Sequence, residues 1–171
     1  LDNLSHHMQP VYKTISLLKQ YLPEETTLIG FAGSPWTVAT YMIAGRGTPD
    51  QKPAHSLKQN DIIAFQGLLD VIVEATIDYL ASQVEHGAEV LQLFDSWAGS
   101  LIGEDFDRFC ILPNKSIIDG LRARGITTPI IGFPRGAKDR YVDFAIETGV
   151  QAISIDQDIC LSSVIADLPD T

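Results

Sequence analysis

The stretch "IGFAGSPWTVATYM", residues 29–42, joins an apolar segment to a helical one through a short turn. The apolar segment is typical of a buried strand, Gly33 permits a sharp turn, and Pro35 is well placed to begin a helix. Trp36 and Tyr41 then supply two large aromatic side chains, each with one polar group. The stretch therefore predicts a strand followed directly by a helix, the unit from which parallel α/β folds are built.

The same succession recurs along the chain. Apolar segments predict three further strands at residues 89–95, 128–133 and 150–156. Apolar spacing predicts helices at 11–21, 61–86, 104–124 with an interruption near Pro113, 138–147 and 159–168, and residues 44–56 read as a polar loop. Four strands separated by helices favour parallel β/α units. A doubly wound open sheet and a segment of a (β/α)8 barrel both fit, and strand length does not decide between them.

Composition excludes several classes of function. Of 171 residues, 45% are hydrophobic and 20% charged, which suits one globular domain with no internal boundary. The net charge of -10 leaves no basic surface for nucleic acid. No apolar run is long enough to span a membrane, and Cys110 and Cys160 are not spaced as a zinc or disulfide pair. We expect a cytoplasmic protein that binds neither nucleic acid nor a membrane.

Four loops follow the carboxyl ends of the predicted strands, where parallel α/β folds place their ligands. They begin at "FAGSPW", "FDSWAG", "FPRGA" and "IDQD". Ser96 suits a hydrogen bond to a substrate carboxylate or carbonyl better than a nucleophilic role, because no activating base or G-x-S-x-G turn accompanies it. Asp95 is favoured as an anchor of its own loop, and Arg135 as the partner of a nearby acid, although each could contact a ligand. Core packing is favoured for Trp36 and Tyr41.

Motifs for metals and nucleotides are weak. Asp156 and Asp158 are two carboxylates without further clustered ligands. The four histidines show no H-E-x-x-H spacing, and no G-x-G-x-x-G follows a strand. We expect neither a metal nor a nucleotide cofactor.

Two long motifs carry a family resemblance. "LIGFAGSPWTVATYMIAGRG" and "LQLFDSWAGSL", in that order with a long helix between them, closely resemble uroporphyrinogen decarboxylase. "PIIGFPRGA" and "VQAISID" match the next two strands of that family, so the resemblance covers nearly the whole chain. It implies a (β/α)8 barrel, of which residues 1–171 supply about four central units. It also implies a homodimer that removes CO2 from the four acetate side chains of uroporphyrinogen III, without cofactor or metal. The product is coproporphyrinogen III, in porphyrin and haem biosynthesis.

The resemblance assigns roles to four positions. Tyr41 and Ser96 fall on residues of that family that contact the substrate through their hydroxyl groups. Phe31 and Phe94 fall on apolar residues that line the cleft beside the tetrapyrrole. These four residues are the predicted substrate site.

Other parts of the family pattern are missing. The family's amino-terminal arginine motif, the aspartate that receives the pyrrole N–H groups, and a late histidine have no visible counterpart. Gln157 stands where that family commonly has Trp, so Asp156 is assigned no catalytic role. We expect a partial chain that holds no catalytic residue and is inactive alone. The alternatives are a cobamide-dependent methyltransferase of the same superfamily, which would need zinc ligands, and a scaffold without enzymatic activity.

Overall fold

A computed structural model describes residues 3–168, in which strands and helices alternate. The strands are β1 (Ile29–Gly33), β2 (Val90–Asp95), β3 (Ile130–Pro134) and β4 (Ala152–Ile153). The helices are α1 (Leu4–Tyr21), α2 (Pro35–Ala44), α3 (Lys52–Asn60), α4 (Ile62–Glu85), α5 (Glu104–Phe106), α6 (Leu112–Ala123), α7 (Tyr141–Thr148) and α8 (Leu161–Asp167). Within this range, no helix has both the length and the apolar content that a membrane span requires.

The four strands form one parallel sheet in the order β1-β2-β3-β4. Each strand pairs with the next one along the chain, so the order does not reverse as it does at the switch point of a doubly wound sheet. Because parallel crossovers are right-handed, this order places the connecting helices on one face. The prediction of about four successive β/α units of a (β/α)8 barrel is confirmed.

The two faces of the sheet differ in burial. Successive side chains of a strand point to opposite faces. On one face, Ala32, Leu91 and Ile130 are buried in a cluster with side chains of α4 and α6. On the opposite face, Ile29 and Phe31 are exposed. The helices thus cover one face, and the face that they leave uncovered is the one that lines the inside of a barrel.

A second apolar cluster lies under the carboxyl ends of the strands. Trp36 is fully buried there, so its predicted packing role is confirmed. Its ring lies 5.8 Å from that of Phe65, which in turn lies 5.4 Å from that of Phe109, both in edge-to-face contact. Ala98 and Ala137 bring the loops after β2 and β3 into this cluster. The strand-end loops are therefore packed against the core.

Two sequence predictions in the first half of the chain are wrong in their bounds. The first helix begins at Leu4, well before the predicted residue 11. Residues 52–56, predicted as part of a polar loop, form the first turn of α3. Pro53 fits there because a first helical turn does not need its N–H, and Ala54 is buried against the core. Tertiary packing overrides the polar composition of this segment.

Two more differences lie in the second half. The helix predicted over 104–124 contains a π-helical turn at Asp107–Ile111 before α6 begins, and Pro113 lies in the first turn of α6. The strand predicted at 150–156 is reduced to Ala152–Ile153, although its hydrogen bonds to β3 extend from the Gln151 N–H to the Ser154 N–H.

Two glycines in helices provide a matched stability prediction. A Cβ on Gly120 of α6 would press on the buried Ile77 side chain of α4, whereas a Cβ on Gly67 of α4 would meet nothing within 4 Å. Alanine favours a helix over glycine by about 1 kcal/mol, but overpacking costs roughly 1–3 kcal/mol. We expect Gly120→Ala to lower the free energy of unfolding by about 1 kcal/mol and Gly67→Ala to raise it, as measured by urea unfolding. Stabilisation by both variants would contradict this close helix contact.

Candidate functional site

The carboxyl ends of β1, β2 and β3 meet at one edge of the sheet. Gly33 of β1 is aligned with Phe94 of β2. The Gly99 N–H donates a hydrogen bond to the Arg135 carbonyl at 2.9 Å, and a Cβ on Gly99 would lie only 2.9 Å from Gly136 Cα. Glycine is needed where two backbones approach so closely. The loops after β2 and β3, both selected from the sequence, therefore form one continuous surface.

Three phenylalanine rings form a row on the uncovered face beside this edge. The ring centroids of Phe31 and Phe94 are 5.9 Å apart, and those of Phe94 and Phe133 are 6.2 Å apart, both edge to face. This geometry is favourable for aromatic pairs. Phe31 is 59% exposed and so presents its ring outward. We call Phe31, Phe94 and Phe133 the phenylalanine row.

The row includes both apolar residues predicted for the site and one that sequence reasoning missed. Phe133 is the last residue of the strand predicted at 128–133, and it is aligned with Phe94 in the sheet. The carboxyl ends of adjacent parallel strands lie side by side. The position of Phe133 at the end of its predicted strand could therefore have identified it as a neighbour of Phe94.

The predicted polar residues lie in different surroundings. Ser96 follows β2 directly, is half-buried, and its hydroxyl makes no hydrogen bond with any group in residues 3–168. Tyr41 lies on α2 and is 44% exposed, so the core packing favoured for it from the residue pattern is wrong. Its ring approaches Gly47, where a Cβ would lie 3.2 Å away. Tyr41 and the phenylalanine row show no ring contact within the described residues. The structure thus joins Phe31, Phe94 and Ser96 through β1 and β2, and holds Tyr41 on a separate element.

Asp95, the last residue of β2, is completely buried on the helix-covered side. Its Oδ1 accepts a hydrogen bond from Thr37 Oγ1 at 2.6 Å, and Thr37 Oγ1 in turn accepts one from the Trp97 N–H at 3.1 Å. Within residues 3–168, Asp95 Oδ2 has no hydrogen-bond partner. Asp95 therefore anchors its own loop, the role favoured from sequence, but does so through a hydroxyl of α2.

The buried carboxyl has an altered acidity. Burial raises the pKa of Asp95 from 3.8 to about 6, and the hydrogen bond from Thr37 opposes this rise only in part. Cys110 and Asn114 lie close enough to favour the charged form, although neither makes a well-formed hydrogen bond to Oδ2. The same burial, together with Asp95, raises the pKa of the Cys110 thiol well above its usual range.

A second contact ties α2 to the loop after β2. The Trp36 indole N–H lies 3.1 Å from the Trp97 carbonyl and 3.2 Å from Ser100 Oγ. These contacts of Trp36 and the Thr37 hydrogen bond to the Trp97 N–H hold α2 against the loop that carries Ser96.

Asp156 braces the loop after β3. Its Oδ2 accepts hydrogen bonds from the Gly136 N–H and from Tyr141 Oη, both at 2.6 Å. Burial is the larger cause and the hydrogen bond to Asp156 the second, and together they raise the pKa of Tyr141 to about 12. These contacts give Asp156 a structural role.

Arg135 does not have the partner favoured from sequence. Its side chain is exposed, and no acid in residues 3–168 forms an ion pair with it. Two acids of the adjoining loops are engaged elsewhere, Asp95 with Thr37 and Asp156 with Gly136. The part of the chain that the structure describes also contains no group of three or more His, Cys, Asp or Glu side chains arranged to hold a metal.

Comparison with known proteins identifies the family. The family model described as uroporphyrinogen decarboxylase (URO-D) matches residues 1–170. The chain belongs to the uroporphyrinogen decarboxylase family. The resemblance found in the sequence motifs is therefore confirmed.

Curated relatives in this family cover most of the chain. The uroporphyrinogen decarboxylase of Paracoccus denitrificans is 58% identical over 152 residues, which are 89% of this chain and 44% of that protein. The one from Jannaschia sp. is 54% identical over 158 residues, which are 92% of this chain and 46% of that protein. The chain thus spans less than half the length of these uroporphyrinogen decarboxylases.

A solved structure shares the fold. A methyltransferase from Methanosarcina mazei matches 94% of this chain and 46% of its own, with a TM-score of 0.76 and 19% sequence identity. At this identity the match shows the fold alone.

The buried carboxyl predicts a pH dependence of stability. Because the folded-state pKa of Asp95 lies above its unfolded value, the folded chain binds more protons than the unfolded one between about pH 4 and pH 6. The free energy of unfolding therefore falls as pH rises through this window, by up to about 3 kcal/mol from Asp95. Asp95→Asn removes this contribution, so its stability relative to wild type should rise as pH is raised.

Urea unfolding at a series of pH values measures this difference. Glu74→Gln, at an exposed carboxyl of α4, controls for the loss of one negative charge. If the difference in free energy of unfolding between wild type and Asp95→Asn stays constant from acid to neutral pH, the pKa of Asp95 is not perturbed.

Proposed function

We propose that this chain is the central part of a single-domain uroporphyrinogen decarboxylase. The reaction is the removal of CO2 from the four acetate side chains of uroporphyrinogen III to give coproporphyrinogen III, in porphyrin and haem biosynthesis. The proposed enzyme is a cytoplasmic homodimer that uses no cofactor. The family match over residues 1–170 is the observation that carries this proposal.

The decarboxylation requires catalytic groups that we place outside this chain, in the rest of the barrel. Loss of CO2 from an acetate on a pyrrole needs prior protonation of the ring, so that the electrons left behind flow into a cationic ring. A carboxylate near the pyrrole N–H groups stabilises that positive charge, and arginines hold the substrate carboxylates. We assign those catalytic groups to segments that the longer relatives have in addition.

This chain supplies one wall of the cleft and polar contacts. The phenylalanine row offers an apolar surface to the macrocycle, since its rings lie on the uncovered face beside the strand ends. The Ser96 hydroxyl, without a partner in the described residues, is free to bond a substrate carboxylate, and the hydroxyl of the half-exposed Tyr41 can do the same. The exposed Arg135 suits an anion at the same edge, because a local cation can dominate a cleft in an acidic protein.

Hydroxyl deletions test the proposed polar contacts. The host is a chain that also carries the segments present in the longer relatives. A hydrogen bond to a charged group contributes about 1.5–3 kcal/mol, so Tyr41→Phe and Ser96→Ala should each lower kcat/KM for uroporphyrinogen III by about 10- to 100-fold. Tyr21→Phe and Ser5→Ala, at exposed positions of α1, are the matched controls and should retain full activity. Unchanged activity in both site variants would remove Tyr41 and Ser96 from the site.

The 171-residue chain by itself should not decarboxylate uroporphyrinogen III, because we place the stabilising carboxylate and the arginines outside it. The measurement is product formation by the chain alone beside the extended chain, with each preparation checked for folding by circular dichroism. Normal turnover by the 171-residue chain would contradict this division of roles.

The alternatives make different predictions. A cobamide-dependent methyltransferase should contain bound zinc, which elemental analysis of the purified extended chain would detect. A scaffold should bind no porphyrinogen in any form of the chain. The structural match to a methyltransferase concerns the fold only, and no feature of the site favours either alternative.

A further inference from the structure

One threonine hydroxyl contacts both neighbours of Ser96. Thr37, in the first turn of α2, is buried. Its Oγ1 donates a hydrogen bond to Asp95 Oδ1 at 2.6 Å and accepts one from the Trp97 N–H at 3.1 Å. A hydroxyl can do both at once, because it has one donor and two acceptor lone pairs. Asp95 and Trp97 stand directly before and after Ser96, so Thr37 holds the chain on both sides of the proposed substrate contact.

Two further hydrogen bonds hold the backbone of the same two neighbours. The Asp95 carbonyl accepts from the Arg135 N–H at 3.1 Å, which continues the pairing of β2 with β3. The Trp97 carbonyl accepts from the Trp36 indole N–H at 3.1 Å. The Ser96 hydroxyl, by contrast, makes no hydrogen bond within the described part of the chain. The backbone that carries this hydroxyl is therefore positioned through the residues on either side of it.

These contacts lie inside the part of a barrel that this chain supplies. β2 pairs with β1 on one side and with β3 on the other, so neither edge of β2 is left for another strand. Asp95 is completely buried on the helix-covered side, and Thr37 belongs to the helix that follows β1. A closed barrel adds strands only beyond β1 and β4. Closure therefore requires no change in the contacts of Thr37.

We propose that Thr37 is a positioning residue of the substrate site. Its hydroxyl holds the chain on both sides of Ser96 and so directs the Ser96 hydroxyl at a carboxylate of the substrate. Thr37 is buried behind the loop, touches no substrate itself and acts through Ser96. The inference rests on the proposed function, because it requires that Ser96 bind uroporphyrinogen III.

A double-mutant cycle with Ser96→Ala in the extended chain tests this role. Thr37→Val keeps the shape of the side chain but removes its donor and its acceptor. In the wild-type background it should lower kcat/KM for uroporphyrinogen III about five- to tenfold, mainly through KM, because a displaced Ser96 hydroxyl bonds the substrate less well. In the Ser96→Ala background the same change should lower kcat/KM less than about twofold, because the hydroxyl that Thr37 positions is absent.

Two conservative variants separate positioning from general packing. Thr37→Ser keeps the hydroxyl and loses only a methyl group, so its kcat/KM should stay within about twofold of wild type. Thr76→Val, at a buried threonine of α4 whose hydroxyl donates to the Ile72 carbonyl of its own helix, should leave kcat/KM unchanged.

An Asp95→Asn chain is the host for the same cycle if Thr37→Val does not fold, as judged by circular dichroism. This host contains no buried carboxylate that Thr37→Val could leave unpaired. Asparagine keeps an Oδ1 acceptor for the Thr37 hydroxyl, so Asp95→Asn is then the reference for the effects of Thr37→Val and Ser96→Ala.

The outcomes separate the two proposals. Equal losses from Thr37→Val with and without the Ser96 hydroxyl would overturn the positioning role, and so would a Thr37→Ser chain as impaired as Thr37→Val. Full activity of Ser96→Ala would also overturn it, while decarboxylation by the extended chain would leave the proposed function standing. An extended wild-type chain that folds but does not decarboxylate would overturn both. A KM effect that disappears with Ser96→Ala and is absent in Thr37→Ser supports both.

Discussion

Parallel pairing of each strand with the next one along the chain is the constraint on which the rest of this structure depends. It places the connecting helices on one face of the sheet and the carboxyl ends of the strands at one edge. The helix-covered face takes the aliphatic core, so the other face is free to display the phenylalanine row. The candidate site and the aliphatic core thus lie on opposite sides of the same strands, because successive residues of a strand point to opposite faces.

The site edge is held from behind by polar contacts that are themselves buried. Thr37 joins the Asp95 carboxyl to the Trp97 N–H, so hydrogen bonds connect α2 to the loop after β2. Burying a carboxyl with one oxygen unpaired in the described residues costs stability, and the raised pKa of Asp95 expresses that cost. The same contacts connect α2, which carries Tyr41, to the loop that carries Ser96. Asp156 holds the loop after β3 in a comparable way, through Gly136.

Much of the fold could be predicted from local pattern. The strands near residues 29–33, 90–95 and 130–134 and the long helix α4 lie close to their predicted positions, because strand and helix periodicities and the Gly and Pro breaks are local signals. No helix was predicted at α3, where polar composition indicated a loop, because Ala54 is buried there and burial depends on distant partners. Of the site, Phe31, Phe94, Tyr41 and Ser96 came from family motifs. Phe133 was missed because its role depends on the register of β3 against β2.

The sequence by itself determined the fold class, the family and the strand-end loops, since each follows from residue patterns that are contiguous or nearly so. Only the tertiary structure decided which of those loops touch, that Asp95 pairs with Thr37 across 58 positions, and that the Trp97 N–H reaches the same hydroxyl across 60. Such contacts depend on strand register and on the rotation of each helix over the sheet. Many distant side chains set these quantities together through packing, so no short stretch of sequence encodes them.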